Sequence, residues 1–469
     1  MAQRGNGGII GPANVPNAAK ASGVWTLEEQ QEAKGINSWP GFVIQRSLRF
    51  NSADSAYLNR TPASAGNRKT WTWSGWVKRS ALGARQGLMV TTNAGATDYF
   101  VFEFDAYDRF FVQGRRAADS LSSIVLPTVA VYRDTSAWYH VVLSFDTTQA
   151  TASDRVKAYI NGVQATFNST EPNFAYPAQN TEYRVNTTNS HAIGSFDLLN
   201  ILYLNGYMTE VNFIDGQALT PSSFGQTNAN TGVWEPKPYA GTYGTNGFYL
   251  NFSDNSNTTA TTLGKDYSGN GNNWTPNNFS VAAGAGNDSL VDVPTAWGTD
   301  TGVGGTVRGN YATLNPLNAG NASLLNNGNL AISNPSDANW RTGVSTIATS
   351  SGKWYAEVTV GANDLIIGID KASVVFSNTN TMVGGSSSGW GYFKTGQIYN
   401  NSNIITATGG NYAFVSGDVI GIAFDADAGT LKWYKNNVEV PYTVTGLTDG
   451  PYVLGFAIVT GKQIGRAHV

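Results

Sequence analysis

Cysteine is absent from the 469 residues, which excludes disulfides and thiolate metal sites. Histidine occurs three times, and one copy, His468, is the penultimate residue. That leaves little material for imidazole catalysis or a His-built zinc site. Charge is also scarce. Asp, Glu, Lys and Arg together make 13% of the chain and nearly cancel, to a net −3. A nucleic-acid binder would show a basic patch, so no nucleic-acid partner is expected. No apolar run approaches the roughly 18 residues of a membrane-spanning helix, and no membrane insertion is expected. Met1 to Gly8 is polar and lacks the apolar stretch of a secretory signal. A 41% hydrophobic share with so small a net charge excludes a disordered chain.

Turn formers and aromatics fill the space that charge leaves. The chain holds 53 Gly, 47 Asn, 13 Trp, 22 Tyr and 21 Phe. Gly and Asn tolerate left-handed backbone angles and so supply turns. Aromatic residues favour strands. The composition predicts many short strands joined by many turns, in a chain long enough for two or three cores. The fold class expected is mostly β: antiparallel β-sandwich modules, with one short N-terminal helix.

Residues 1–44 read as an attachment segment to a larger assembly or, equally, as a clasp on the next domain. Thr26 caps a helix over Leu27–Lys34, Glu29 completes a capping box, and Gly35 ends it. Trp25 and Trp39 flank it as docking anchors. Residues 45–280 read as strand after strand. Thr70–Lys78 alternates aromatic and small residues, Trp138–Phe145 is strongly apolar, and Asn161–Gly162 between Val156–Ile160 and Val163–Phe167 is a two-residue hairpin turn. Residues 281–306, rich in Ala, Gly, Thr and Asp without periodicity, read as a linker or long loop. Strands resume over 307–462, with a second hairpin turn at Asn436–Asn437. Residues 463–469 break the pattern. Ile464–Val469 (IGRAHV) matches one reading frame of a common sequencing adapter and is taken as a non-native tail.

Three strings carry a family resemblance in the first module: SLRFNSADSAYL (47–58) with WTWSGWVK (71–78), WYHVVLSFDTT…VKAYINGVQ (138–164), and LNGYMTEVNFIDGQALTPSSF (204–224). Their order and spacing resemble the laminin G-like, concanavalin A-like jelly rolls. GKWYAEV (352–358), IGID (367–370), GDVIGIAFD (417–425) and TLKWYKNN (430–437) resemble a SPRY domain, a two-sheet sandwich that binds proteins or ligands through its loops. With the GGIIGP…ASGVWTLEEQ…SWP start (7–40), the arrangement looks like phage tail-fibre or virion-surface proteins. That resemblance implies a host-surface glycan or protein as partner, other tail proteins as neighbours, and a homo-oligomer. It also implies synthesis in the host cytoplasm and location in the virion tail.

Sugar binding by sandwich lectins uses exposed aromatics and amide or carboxylate oxygens. Trp71, Trp73, Trp76, Trp138 and Phe145 are expected in the core. Turn-borne candidates for ligand contact are Tyr99, Tyr107, Tyr183, Tyr203 and Trp234 in the first module. In the second they are Trp390, Tyr392 and Tyr399, near the Gly/Ser-rich loop 384–389. Calcium is common in the resembled jelly rolls. Asp266, Ser268 and Asn270, with Gly271, place oxygens at alternate positions like a calcium loop, and Asp54 is a further donor. Asn277 stands where an EF-hand needs Glu, and Asx-turn chemistry explains the same string.

Glu103-Phe-Asp105-Ala-Tyr-Asp108 resembles the E-x-D-x-x-E string of concanavalin-like glycoside hydrolases, with Asp in the third place. The alternative is a plain hairpin turn. His140 falls mid-strand and is expected to be structural; His191 has no evident catalytic partner. No phosphate loop is formed by GAGND (284–288) or GVGGT (302–306). The expected function is a non-enzymatic adhesin recognising a host surface, with carbohydrate as ligand. The alternatives are a structural virion-decoration module that binds protein, and a glycoside hydrolase.

Overall fold

A computed structural model describes residues 42–93, 95–119, 123–196, 201–229, 231–296, 307–319, 325–334, 339–361, 364–376, 381–458 and 461–462. The expected helix at Leu27–Lys34, its flanking tryptophans and the tail 463–469 lie outside these residues. Among the described residues the fold is mostly β, and helix is confined to single 3-10 turns.

The first module packs two antiparallel sheets face to face. One runs Val163–Gln164, Val156–Ile160, Trp138–Asp146, Thr70–Arg79, Gly206–Asp215, Ser47–Phe50, Ser289–Leu290, with Phe248–Leu250 also paired to Gly206–Asp215. The other runs Thr275–Asn277, Tyr57–Arg60, His191–Ile193, Gln86–Thr92, Tyr99–Phe104, Arg109–Arg115, Ile124–Val131. Strand alternation sends Trp71, Trp73 and Val77 inward. Trp71 stacks on Phe145 at 4.7 Å between ring centres, and Trp73 meets Phe102 edge-on at 5.1 Å. Gly75 shares that inner face because a Cβ there would lie 2.6 Å from the Trp73 ring.

Trp76 is buried as expected but on the opposite face of the sheet. It stacks on His140 at 4.9 Å, and Trp234 covers the pair. Asn161 and Gly162 have φ of 50° and 82°, and Asn436 and Asn437 have 48° and 67°. Both positive angles are what a two-residue type I′ hairpin requires.

The second module also has two antiparallel sheets. The larger runs Leu314–Ala319, Arg341–Thr349, Tyr452–Ile458, Leu365–Lys371, Trp390–Phe393, Gln397–Asn400, Asn403–Ala407; the smaller runs Lys353–Thr359, Val419–Asp425, Thr430–Lys435, Val438–Val444. Between them lie Trp433, Tyr392, Leu431, Ile367, Ile420 and Phe456.

The expected linker needs correction at its start. Ser289 and Leu290 add an edge strand to Ser47–Phe50, and Val293 N–H bonds Gly309 across the undescribed stretch 297–306. Asp288 accepts from buried Arg49 at 2.9 Å, and Asp292 accepts from buried Lys78 at 2.8 Å. The segment is held because it carries the counter-charges of two buried cations. The modules are joined here too. The hairpin turn Asn327–Asn329 of the second module meets the first: Tyr207 donates to Gly328 O (2.6 Å), Asn329 to Ser80 O (2.6 Å) and Asn51 to Asn327 Oδ1 (3.0 Å). Gly328 has φ of 66°, and a Cβ there would lie 2.7 Å from the Tyr207 hydroxyl.

Candidate functional site

The eight aromatic candidates do not converge. Tyr107 is 68% exposed at its turn, with the Arg109 guanidinium 4.9 Å from its ring centre. Tyr99 and Tyr203 are half-buried against Phe196 and Tyr57. Half-buried Trp234 donates its indole N–H to His140 Nδ1 at 2.9 Å. Two candidates are corrected. Tyr183 is 1% exposed, its ring between Phe100 and Phe145 and its hydroxyl on Ser123. Tyr392 is fully buried between Phe414 and Trp433, its hydroxyl on Tyr412 O. Trp390 and Tyr399 are half-buried against Tyr442 and Phe393.

The candidate calcium donors serve loop closure. Asp266 Oδ1 accepts the N–H groups of Tyr249 and Ser268, and Oδ2 accepts the Ser268 hydroxyl and Asn272 N–H, all at 2.8–2.9 Å. Asn270 turns its amide N–H groups to the carbonyls of Gly244 and Gly247. Asp54 belongs to another turn, where Asn51 donates to it at 2.6 Å. Among the described residues, no three His, Asp or Glu gather as a metal site. A cation at Asp266 would have to displace those donors, so this set does not fit calcium as folded.

The two described histidines are structural. Trp234 donates to His140 Nδ1, so Nε2 carries the proton and donates to Ser74 Oγ at 2.9 Å. His191 Nε2 accepts Asn186 N–H, so Nδ1–H donates to Asn189 O. Burial pushes their pKa values down to about 3 and about 4, holding both rings neutral.

In the hydrolase-like string, Asp105 and Asp108 are likewise committed. Glu103 is buried and paired with Arg85 at 2.7 Å, and its Oε2 has no partner among the described residues. Burial pushes its pKa up to about 7 against the pull of Arg85. Asp105 Oδ1 closes the turn by accepting the N–H groups of Tyr107 and Arg109. Asp108 lies between Arg79 and Arg133.

A second buried carboxyl gives a pH test. Glu210, at the bulge of Gly206–Asp215, accepts from the Tyr249 hydroxyl at 2.6 Å. Burial pushes its pKa from 4.5 up to about 7, opposed by that hydrogen bond. Between those values the folded chain holds a proton that the unfolded chain has lost. Stability therefore falls as pH rises through this window, by up to about 3 kcal/mol. Glu210→Gln is expected to match the parent near pH 5 and exceed it near pH 8 in urea midpoint; an unchanged slope would contradict this. The slope should flatten rather than vanish, because Glu103 behaves alike.

A cavity of about 440 Å³ opens in the second module, on the outer face of its larger sheet. Trp340, Val374, Phe376 and Met382 form its apolar side; Thr381, Gly385, Ser386 and Ser402 form the polar side, with Asp370 behind it. Asp370, at the end of Leu365–Lys371, is fully buried and accepts from Ser386 Oγ and Ser388 Oγ at 2.7–2.9 Å and from Lys371 N–H. Burial raises its pKa, and the serine hydroxyls oppose the rise.

Gly389 lies so close that a Cβ would come 2.3 Å from Asp370 Oδ2. From the other side, Asn400 donates to Gly389 O, and Asn401 N–H and Ser402 N–H donate to Ser386 O and Gly384 O. The facing wall is pinned by Asn318, whose amide bonds both Val374 O and Phe376 N–H at 2.9 Å. A pocket with both walls fixed this way pays little ordering cost on binding. The sequence reading had reached the loop 384–389 but missed Trp340 and Phe376, which come from separate segments. The aromatics chosen there, Trp390, Tyr392 and Tyr399, do not line the cavity.

Two family models match parts of the chain. The family model for the SPRY domain matches residues 353–467, running into the tail set apart above. The laminin G-like model of the concanavalin A-like lectin/glucanases superfamily matches residues 51–224. No curated protein matches the chain. Among solved structures, the SPRY domain of human HERC1 is 16% identical, covering 33% of this chain and 94% of that one, with a TM-score of 0.24. A native heptameric SAP-like pentraxin from Limulus polyphemus is 14% identical, covering 38% and 80%, at 0.28. The mouse laminin alpha1 chain, domains LG4-5, is 8% identical, covering 91% and 88%, at 0.30. This chain joins a laminin G-like, concanavalin A-like module to a SPRY module.

Proposed function

We propose that the chain is a non-enzymatic adhesin of a phage tail fibre or virion surface, recognising a carbohydrate on the host. Both module types typically serve binding, and the observation that carries the reading is the pinned cavity behind loop 384–389. A preformed concave site with aromatic and hydroxyl walls suits recognition. Two carboxylates of the hydrolase-like string, Asp105 and Asp108, are used within the fold in turns and ion pairs, which supports binding without bond cleavage. Homo-oligomerisation would multiply weak sites into avidity.

The test is binding of the whole purified chain to a glycan panel and to candidate host cells, with and without a chelator. Saturable glycan binding is expected, and chelator is expected to leave it unchanged, because the Asp266 oxygens are already occupied by donors. Folded chain that binds no glycan but captures a virion protein would overturn the reading in favour of a structural role.

A further inference from the structure

We infer that the second-module cavity selects neutral sugars, taking a terminal mono- or disaccharide and excluding acidic ones. The inference rests on the glycan-recognition reading and adds the chemical class. The volume of about 440 Å³ lies in the lower part of the roughly 300–1,000 Å³ range of small-ligand pockets. The lining is divided in two. Half-buried Trp340 and Met382, with buried Phe376 behind them, offer an aromatic and apolar wall of the kind that packs against the C–H face of a pyranose ring. Opposite stand the hydroxyls of Ser386 and Ser402, whose protons go to Asp370 and Gly385 O and whose oxygens are left to accept from sugar hydroxyls.

The charge is what discriminates. No Lys, Arg or His is among the described lining residues, and the one charged group is the Asp370 carboxylate behind the serine wall. The adjacent ammonium, Lys371, is engaged by Asp449. A sialic or uronic acid entering here would lie beside a buried negative group, with no cation among the described lining residues to pair with, an arrangement that disfavours it. A neutral ring meets no such penalty.

The experiment is calorimetric titration of the full chain with neutral oligosaccharides and with their sialylated or uronate counterparts. Two variants are titrated beside it. Trp340→Ala removes the aromatic wall. Ser402→Lys places an ammonium at the exposed rim of the Asn400–Asn403 turn; because position 402 has a φ of 61° and its hydroxyl bonds Gly385 O, the fold of this variant is checked by circular dichroism and Ser402→Ala serves as its uncharged control. The expected result is that the acidic counterpart binds about tenfold weaker or worse. Trp340→Ala should weaken the neutral ligand by a similar factor, and Ser402→Lys should narrow or reverse the preference. If acidic glycans are preferred by the parent chain, or if neither variant changes glycan binding, the inference fails while glycan recognition stands. If folded parent chain binds no glycan, both fall.

Discussion

Replacing Lys78 by alanine is expected to destabilise the chain by roughly 3–5 kcal/mol, the usual cost of breaking one side of a buried ion pair. The Lys78 side chain is fully buried, and its ammonium has three acceptors: Asp292 Oδ2 and Asn310 Oδ1 at 2.8 Å, and Tyr311 O at 2.6 Å. Each of its protons is used. Removing the amine strands Asp292, which keeps only the Trp138 indole N–H at 3.0 Å and the Tyr311 N–H at 3.3 Å. The loss falls on the joint between modules, because Lys78 belongs to the central strand of the first sandwich and Asn310 and Tyr311 lead into the second. Urea unfolding and hydrogen exchange at Ser289–Leu290 measure it. Lys78→Met with Asp292→Asn removes both charges and is expected to recover more than half of the loss. A double variant as unstable as Lys78→Ala would show that the ion pair is not what holds the joint.

The second large effect is expected at Asp108. Its carboxylate accepts Arg79 Nη2 and Gly83 N–H on Oδ1 and Arg133 Nε on Oδ2, all at 2.8–2.9 Å. Arg79 is fully buried, with Phe104 under its guanidinium at 4.5 Å. Asp108→Ala leaves that guanidinium without a counter-charge and puts alanine at a φ of 64°, so a loss of about 3–5 kcal/mol is expected. Asp108→Asn tolerates the backbone angle and should lose less.

Burial alone would raise the Asp108 pKa, but the Gly83 N–H and the two arginines hold it below the ordinary carboxylate value. Its contribution is therefore complete at neutral pH and is lost as pH falls through that depressed value. Glu103→Gln should behave in the opposite way, gaining stability near pH 8, because its buried carboxyl is pushed up to about 7. A hydrolase would reverse the ranking in activity terms: Glu103→Gln would abolish glycan cleavage while stability held.

Local signals in the sequence led to correct local structure. Asn161–Gly162 and Asn436–Asn437 announce their hairpins because only a few residues accept two successive positive φ angles. The strand alternation around Trp71 and Trp73 likewise announces a buried face. Failures came where the partner is remote. Tyr183 lies in a segment without periodicity, yet the chain folds back and drops its ring against Phe100 and Phe145. Residues 281–296 have the composition of a linker, and what ties them down is remote: the cations at Arg49 and Lys78, more than 200 positions upstream, and the strand pairing of Ser289–Leu290 with Ser47–Phe50. The cavity was half legible: its Gly/Ser loop stands out, but Trp340 and Phe376 reach it through sheet topology.

Recognition without chemistry is tested most directly by one measurement: a saturable binding isotherm of the whole chain on a matched glycan, followed by mass analysis of that glycan after prolonged incubation. The expected result is saturation with every glycan recovered intact. Release of shorter products, sensitive to Glu103→Gln, would contradict it.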